Sequence, residues 1–139
     1  MKKILVSILV AFVSLNLFSL PNIKLSYSGE TFFTINDNNL YNPDGELAFS
    51  NINGTLYYPS GENSNQTISE TDEIIEIIDT ENGILRFSKK NGNLIYRESK
   101  YGLEKYIEYF DEESGNKLTE EKYFLDLLES VVTHVYEKG

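Results

Sequence analysis

Seven of the nine glycines in this chain follow a Ser, Asn or Asp: Ser28-Gly29, Asp44-Gly45, Asn53-Gly54, Ser60-Gly61, Asn82-Gly83, Asn91-Gly92 and Ser114-Gly115. Glycine takes a positive φ without a Cβ clash, and the short polar side chain before it bonds to nearby backbone, so each dipeptide encodes a tight turn. Between them lie short runs rich in Tyr, Phe, Ile and Leu. Apolar runs of strand length between turn dipeptides predict a train of antiparallel β-hairpins.

Read along the chain, Ile23 to Tyr27 alternates apolar and polar residues, and Thr31 to Ile35 follows the turn at Ser28-Gly29. Leu40 and Tyr41 lead into Asn42-Pro43-Asp44-Gly45, where Pro sets φ and Gly accepts the left-handed position. Leu47 to Ser50 and Thr55 to Tyr58 are the next strands. The polar stretch Glu62 to Asp72 reads as the longest loop, and a mobile one. Ile74, Ile75, Ile77 and Ile78 suit a helix by spacing, but four β-branched residues before Asn82-Gly83 favour a strand. Ile84 to Phe87, Leu94 to Arg97 and Tyr106 to Phe110 then form a meander. From Thr119 onward the pattern changes. Tyr123, Phe124, Leu127, Leu128, Val131, Val132, Val135 and Tyr136 fall on a four-residue step, which predicts an amphipathic helix over residues 119–137. Thr119 would cap it, with Glu120 and Glu121 at its positive end. The expected fold is thus mainly β within an α+β class: an antiparallel hairpin sheet with a C-terminal helix packed on it, all in one domain of residues 20–139.

The turns also repeat. Tyr41-Asn42-Pro43-Asp44-Gly45-Glu46-Leu47 and Phe87-Ser88-Lys89-Lys90-Asn91-Gly92-Asn93-Leu94 share an aromatic residue, a polar stretch, Gly, one residue and Leu. Phe110 to Leu118 is a looser copy, and Tyr57-Tyr58-Pro59-Ser60-Gly61-Glu62 begins in the same way. Residues 40–118 therefore resemble the bacterial MORN-variant repeats of the YwqK-type antitoxin-like family, strings of β-hairpins with a Tyr-Tyr-x-x-Gly-x-Leu core. The resemblance implies a hairpin-repeat sheet. The spacing from Gly92 to Gly115, 23 positions, suits such a repeat, whereas Gly45 to Gly61 is 16 and Gly61 to Gly92 is 31. Antitoxin activity fits only a chain that stays in the cytoplasm.

Lys2 and Lys3 precede an apolar run from Ile4 to Phe18, the pattern of an export signal. The expected signal peptide is residues 1–19, cut after Ser19; the alternative is an uncleaved anchor. The resulting localisation is periplasmic, outer-envelope-associated or secreted, in a bacterium. With no Cys, the chain has no disulfide framework, thiolate metal site or lipid anchor on Cys. A net charge of −10 disfavours nucleic acid and anionic lipid alike.

Chemistry is sparse. His134 is the only His and lies on the flank of the expected helix. Carboxylates cluster at Asp72, Glu73 and Glu76, at Asp79 and Glu81, and at Asp111, Glu112 and Glu113, beside turns where solvated acids are expected. Asp37 to Glu46 is rich in oxygen ligands but fails the EF-hand spacing. No cofactor, metal or catalytic residue is expected. The candidate ligand-binding feature is an exposed aromatic row of Tyr96, Tyr101, Tyr106, Tyr109 and Phe110. The reading is a non-enzymatic envelope or secreted binding module whose partner is a protein or a glycan, without nucleic acid and without membrane contact after signal cleavage. The alternatives are an oligomerising subunit that pairs through an open sheet edge or the helix stripe, and an enzyme acting on carbohydrate through paired carboxylates.

Overall fold

The computed structural model describes residues 19–136, and all but the last residue of the expected signal peptide 1–19 lies outside them. The chain runs through twelve strands: β1 (Ile23–Tyr27), β2 (Glu30–Asn36), β3 (Asn39–Tyr41), β4 (Leu47–Ile52), β5 (Thr55–Tyr57) and β6 (Asn63–Glu70). They continue as β7 (Ile74–Asp79), β8 (Gly83–Ser88), β9 (Leu94–Tyr101), β10 (Glu104–Phe110), β11 (Lys117–Phe124) and β12 (Leu127–Thr133). Every strand pairs antiparallel with its neighbours in chain order, giving one continuous meander.

The sheet rolls back on its own beginning. The Ser26 amide on β1 donates to the carbonyl of Gly92 in the β8–β9 turn at 2.8 Å, and Ser26 forms a parallel bridge with Asn93. The first hairpin thereby closes against the inner face of β8 to β10. Phe32 stacks on Phe87 with centroids 6.4 Å apart, and Tyr27 meets Phe110 edge-on at 5.7 Å. Leu25, Ile35, Leu40, Leu56, Ile75 and Phe87 are buried between the layers. Each such side chain contributes about 1.5–3 kcal/mol by leaving water. Leu20 joins this core, and its amide donates to Asn38 Oδ1 at 3.0 Å. Gly92 permits the closure: with φ at +80°, a Cβ there would lie 1.8 Å from the Lys24 carbonyl oxygen.

Four turns share one hydrogen-bond pattern. The residue after the aromatic bonds through its N–H to the carbonyl after Gly, and the Gly N–H returns to the first residue's carbonyl. This holds for Asn42 with Gly45 and Glu46, and for Ser88 with Gly92 and Asn93. It holds equally for Asp111 with Gly115 and Asn116, and for Tyr58 with Gly61 and Glu62. The uneven spacing also has a structural origin. Two strands separate the first and second of these turns, and two separate the third and fourth, but β6, β7 and β8 lie between Gly61 and Gly92. An odd number of strands places the later turns at the opposite end of the sheet.

Two expectations are corrected. The C-terminal helix over 119–137 is not present; residues Lys117–Phe124 and Leu127–Thr133 form the β11–β12 hairpin, and the described residues contain no helix. The fold is all-β rather than α+β. A four-residue apolar step also places apolar residues on both faces of a strand, and Val131, Val132 and Thr133 are β-branched residues that favour extended backbone. The hairpin turn escaped notice because Leu125 and Asp126 carry it, with φ of 51° and 63°, in place of glycine. The expected loop Glu62 to Asp72 is likewise mostly strand β6. Polar residues hide its alternation: Ser64 and Ile68 point inward, and the Ser64 hydroxyl donates to the Leu56 carbonyl at 2.6 Å.

Candidate functional site

The five aromatics expected as one row divide among three environments. Side chains alternate across a strand, so Tyr96 and Tyr101 on β9 face opposite ways, as do Tyr106 and Tyr109 on β10. On the outer face Tyr96 stands opposite Tyr109 in the ladder, edge-on at 5.5 Å, and the Arg86 guanidinium sits 4.5 Å from the Tyr96 ring centre. On the inner face Tyr101 meets Tyr106 edge-on at 6.0 Å. Phe110 is buried against Tyr27 and belongs to the core.

The inner pair borders an open groove of about 500 Å³. Arg97, Ser99 and Tyr101 of β9, Glu104, Tyr106 and Glu108 of β10, and Lys117 and Glu120 of β11 line it. Its floor is Glu108, whose carboxylate is 6 % exposed. Glu108 Oε1 accepts from Arg97 Nε at 2.7 Å and pairs with Arg97 Nη2 at 2.6 Å. Oε2 meets the Lys117 ammonium at 2.6 Å and has no better-aligned donor. Arg97 Nη2 also donates to the Tyr27 hydroxyl at 3.2 Å, linking the first hairpin to the floor. Burial pulls the pKa of Lys117 down, but the hydrogen bond and charge of Glu108 outweigh it and leave it above the ordinary lysine value. The same opposition leaves Arg97 raised. At the rim, the Tyr106 hydroxyl donates to Glu104 Oε2 at 3.1 Å, which raises the phenol pKa by stabilising its protonated form. Tyr101 stays 67 % exposed.

Sequence reading missed this floor. There Arg97 is only the last residue of the expected strand Leu94 to Arg97, and Glu108 only an interior residue of Tyr106 to Phe110. The signal was parity: Glu108 shares a face with Phe110, two residues on, so an acid occupies a core-facing position. A buried carboxylate requires cationic partners.

The turn-side acids have local roles. Asp79 Oδ1 accepts from the amides of Glu81 and Asn82, and Asp111 Oδ2 accepts from the Ser114 amide and hydroxyl. At Asp79 burial raises the pKa but these hydrogen bonds outweigh it, and at Asp111 the bonds from Ser114 lower it. His134 directly follows β12, its amide donating to the Leu118 carbonyl at 2.7 Å. Among the described residues, no group of three or more His, Asp or Glu is placed to hold a metal ion. A smaller cavity of about 260 Å³ lies beside Phe32, Phe33 and Phe49 where the first hairpin crosses β7 to β9. No protein-family model matches the chain, no curated protein matches it, and no solved structure matches it.

Proposed function

We propose that the chain is a non-enzymatic binding module of the bacterial envelope, exported on its N-terminal segment and built of MORN-like hairpins, which holds a neutral glycan in the inner groove. The carrying observation is the Tyr101–Tyr106 pair, Tyr101 exposed and Tyr106 half-buried, beside a polar, charge-neutralised floor. An aromatic face stacks against the apolar side of a sugar ring, while Ser99, Glu104 and Glu120 offer partners for hydroxyl groups. The net charge of −10 favours a neutral ligand over a polyanion. Binding rather than catalysis is favoured because both oxygens of Glu108 are engaged by cations, leaving neither to accept or donate a proton.

The test is an amide-resolved NMR titration with a soluble N-acetylglucosamine tetramer. Shifts are expected at Ser99, Tyr101 and Tyr106, and Tyr101→Ala should weaken binding about 5- to 10-fold, the loss of roughly 1–1.5 kcal/mol of aromatic contact. Shifts confined to Tyr96 and Tyr109, or none at millimolar sugar, would contradict the reading.

A further inference from the structure

We infer that β12 is a dimerisation strand, pairing antiparallel with β12 of a second copy of this chain about Val132. Among the described residues, strand β12 ends the sheet and pairs with β11 alone. All seven of its residues are exposed. Of the fifteen exposed large apolar side chains among the described residues, nine lie from Leu118 onward, Leu127, Leu128, Val131 and Val132 among them. Edge strands in monomers are ordinarily guarded by charges, Pro or a covering segment. Here the only charge is Glu129, in a chain of net charge −10, and there is no Pro. Seven of these apolar side chains lie on the β11–β12 hairpin and two just beyond it, of the scale of the about 800 Å² that each partner of a standard interface buries.

The other edge indicates which partner fits. The Ser26 amide of β1 is already bonded to Gly92, and Ser26 bridges Asn93, so β1 is closed by the molecule's own β8–β9 turn. A head-to-tail filament of β12 on β1 is therefore blocked. Like-to-like pairing of β12, the one open edge among the described strands, gives a closed twofold dimer.

The register follows from the backbone. The His134 amide points to Leu118 on β11, so Val132 and Ser130, at the same parity, also turn inward. Val131 and Thr133 turn their N–H and C=O groups outward. Centring the pair on Val132 lets Val131 exchange both hydrogen bonds with Thr133 of the second copy, and the reverse. It sets Val132 against Val132, with no acid opposite an acid. The irregular register between Lys122 and Tyr123 lies toward the turn, outside this stretch.

The test uses the chain as the producing cell processes it, with its N-terminus fixed by mass spectrometry. Light scattering after gel filtration should give twice the chain mass at tens of micromolar. Thr133→Pro removes an outward N–H that β11 does not use, and should give a monomer with unchanged circular dichroism. Because the chain has no Cys, Val132→Cys should form an intermolecular disulfide under mild oxidant, whereas Tyr58→Cys, exposed elsewhere, should not. A wild-type monomer at millimolar concentration, or a dimer that survives both Thr133→Pro and Val131→Lys, would overturn the proposal. A dimer that persists in those variants would point to residues outside β12.

Discussion

Glu108 concentrates the residue-scale energetics of the fold. One buried carboxylate is held by two cations drawn from adjacent strands, and one of those cations reaches the first hairpin through Tyr27. Removing it leaves Arg97 with only the Tyr27 hydroxyl and Lys117 with only the longer, more exposed pair to Glu120 at 3.5 Å. Glu108→Gln should therefore lower unfolding stability by about 2–3 kcal/mol in urea, below the full cost of breaking a wholly buried pair because both cations keep some exposure. Lys122→Ala, at longer and more exposed pairs with Glu104 and Glu129, should leave the urea midpoint essentially unchanged. The pH dependence has a defined sign. Asp79 and Asp111 have lowered pKa values in the folded chain, so their contribution is complete above the ordinary carboxylate value and is lost as pH falls through the lower folded value. Urea midpoints should drop as pH falls below the ordinary carboxylate range, and Asp79→Asn with Asp111→Asn should flatten that drop. Lys117 acts in the opposite direction. Its raised pKa gives stability present below the ordinary lysine value and lost as pH climbs through the folded one.

At the scale of elements, turn chemistry accounts both for what the sequence makes legible and for what it conceals. Ser28-Gly29 and Asn53-Gly54 have positive φ at both central positions, the geometry that matches hairpin twist. Leu125-Asp126 adopts the same geometry, although a leucine in the left-handed region costs about 1–2 kcal/mol. Replacing these two residues with Asn-Gly should stabilise the protein by about 1 kcal/mol, read from the thermal midpoint with the strand spectrum unchanged. A helix at 119–137 would instead be weakened by Asn-Gly at its centre. Wherever glycine marks the bend, strands could be read from residue order, as at β1, β2, β8 and β10. Where Leu125 marks it, the four-residue apolar step imitated a helix. Strand β6 was hidden for a different reason: its inward positions are Ser64 and Ile68, and a serine bonded to a carbonyl does not register as apolar periodicity. The groove was only half legible. Alternation fixed which tyrosines could share a face, but the pairing of Glu108 with Arg97 and Lys117 depends on the register of three strands.

The whole molecule is a ribbon closed at one edge and open at the other. Contact between β1 and the β8–β9 turn sets the curvature that forms the groove, and Gly92 is its hinge point. Gly92→Ala would drive a methyl into the Lys24 carbonyl while forcing a left-handed φ on alanine. It should cost more than about 3 kcal/mol, measured by urea unfolding, by combining backbone strain with lost closure. Gly45→Ala has the same sign of φ but open space around it, and should cost about 1–2 kcal/mol. The fold rests on this rolled meander ending in an open hairpin, and a nuclear Overhauser map of the ¹⁵N-labelled chain is its sharpest test. Cross-strand contacts are expected between Thr119 and Thr133 and between Tyr123 and Leu128, with a contact between Ser26 and Gly92 closing the roll. An unbroken run of sequential amide–amide contacts from Thr119 to Tyr136, with no Ser26–Gly92 contact, would contradict it.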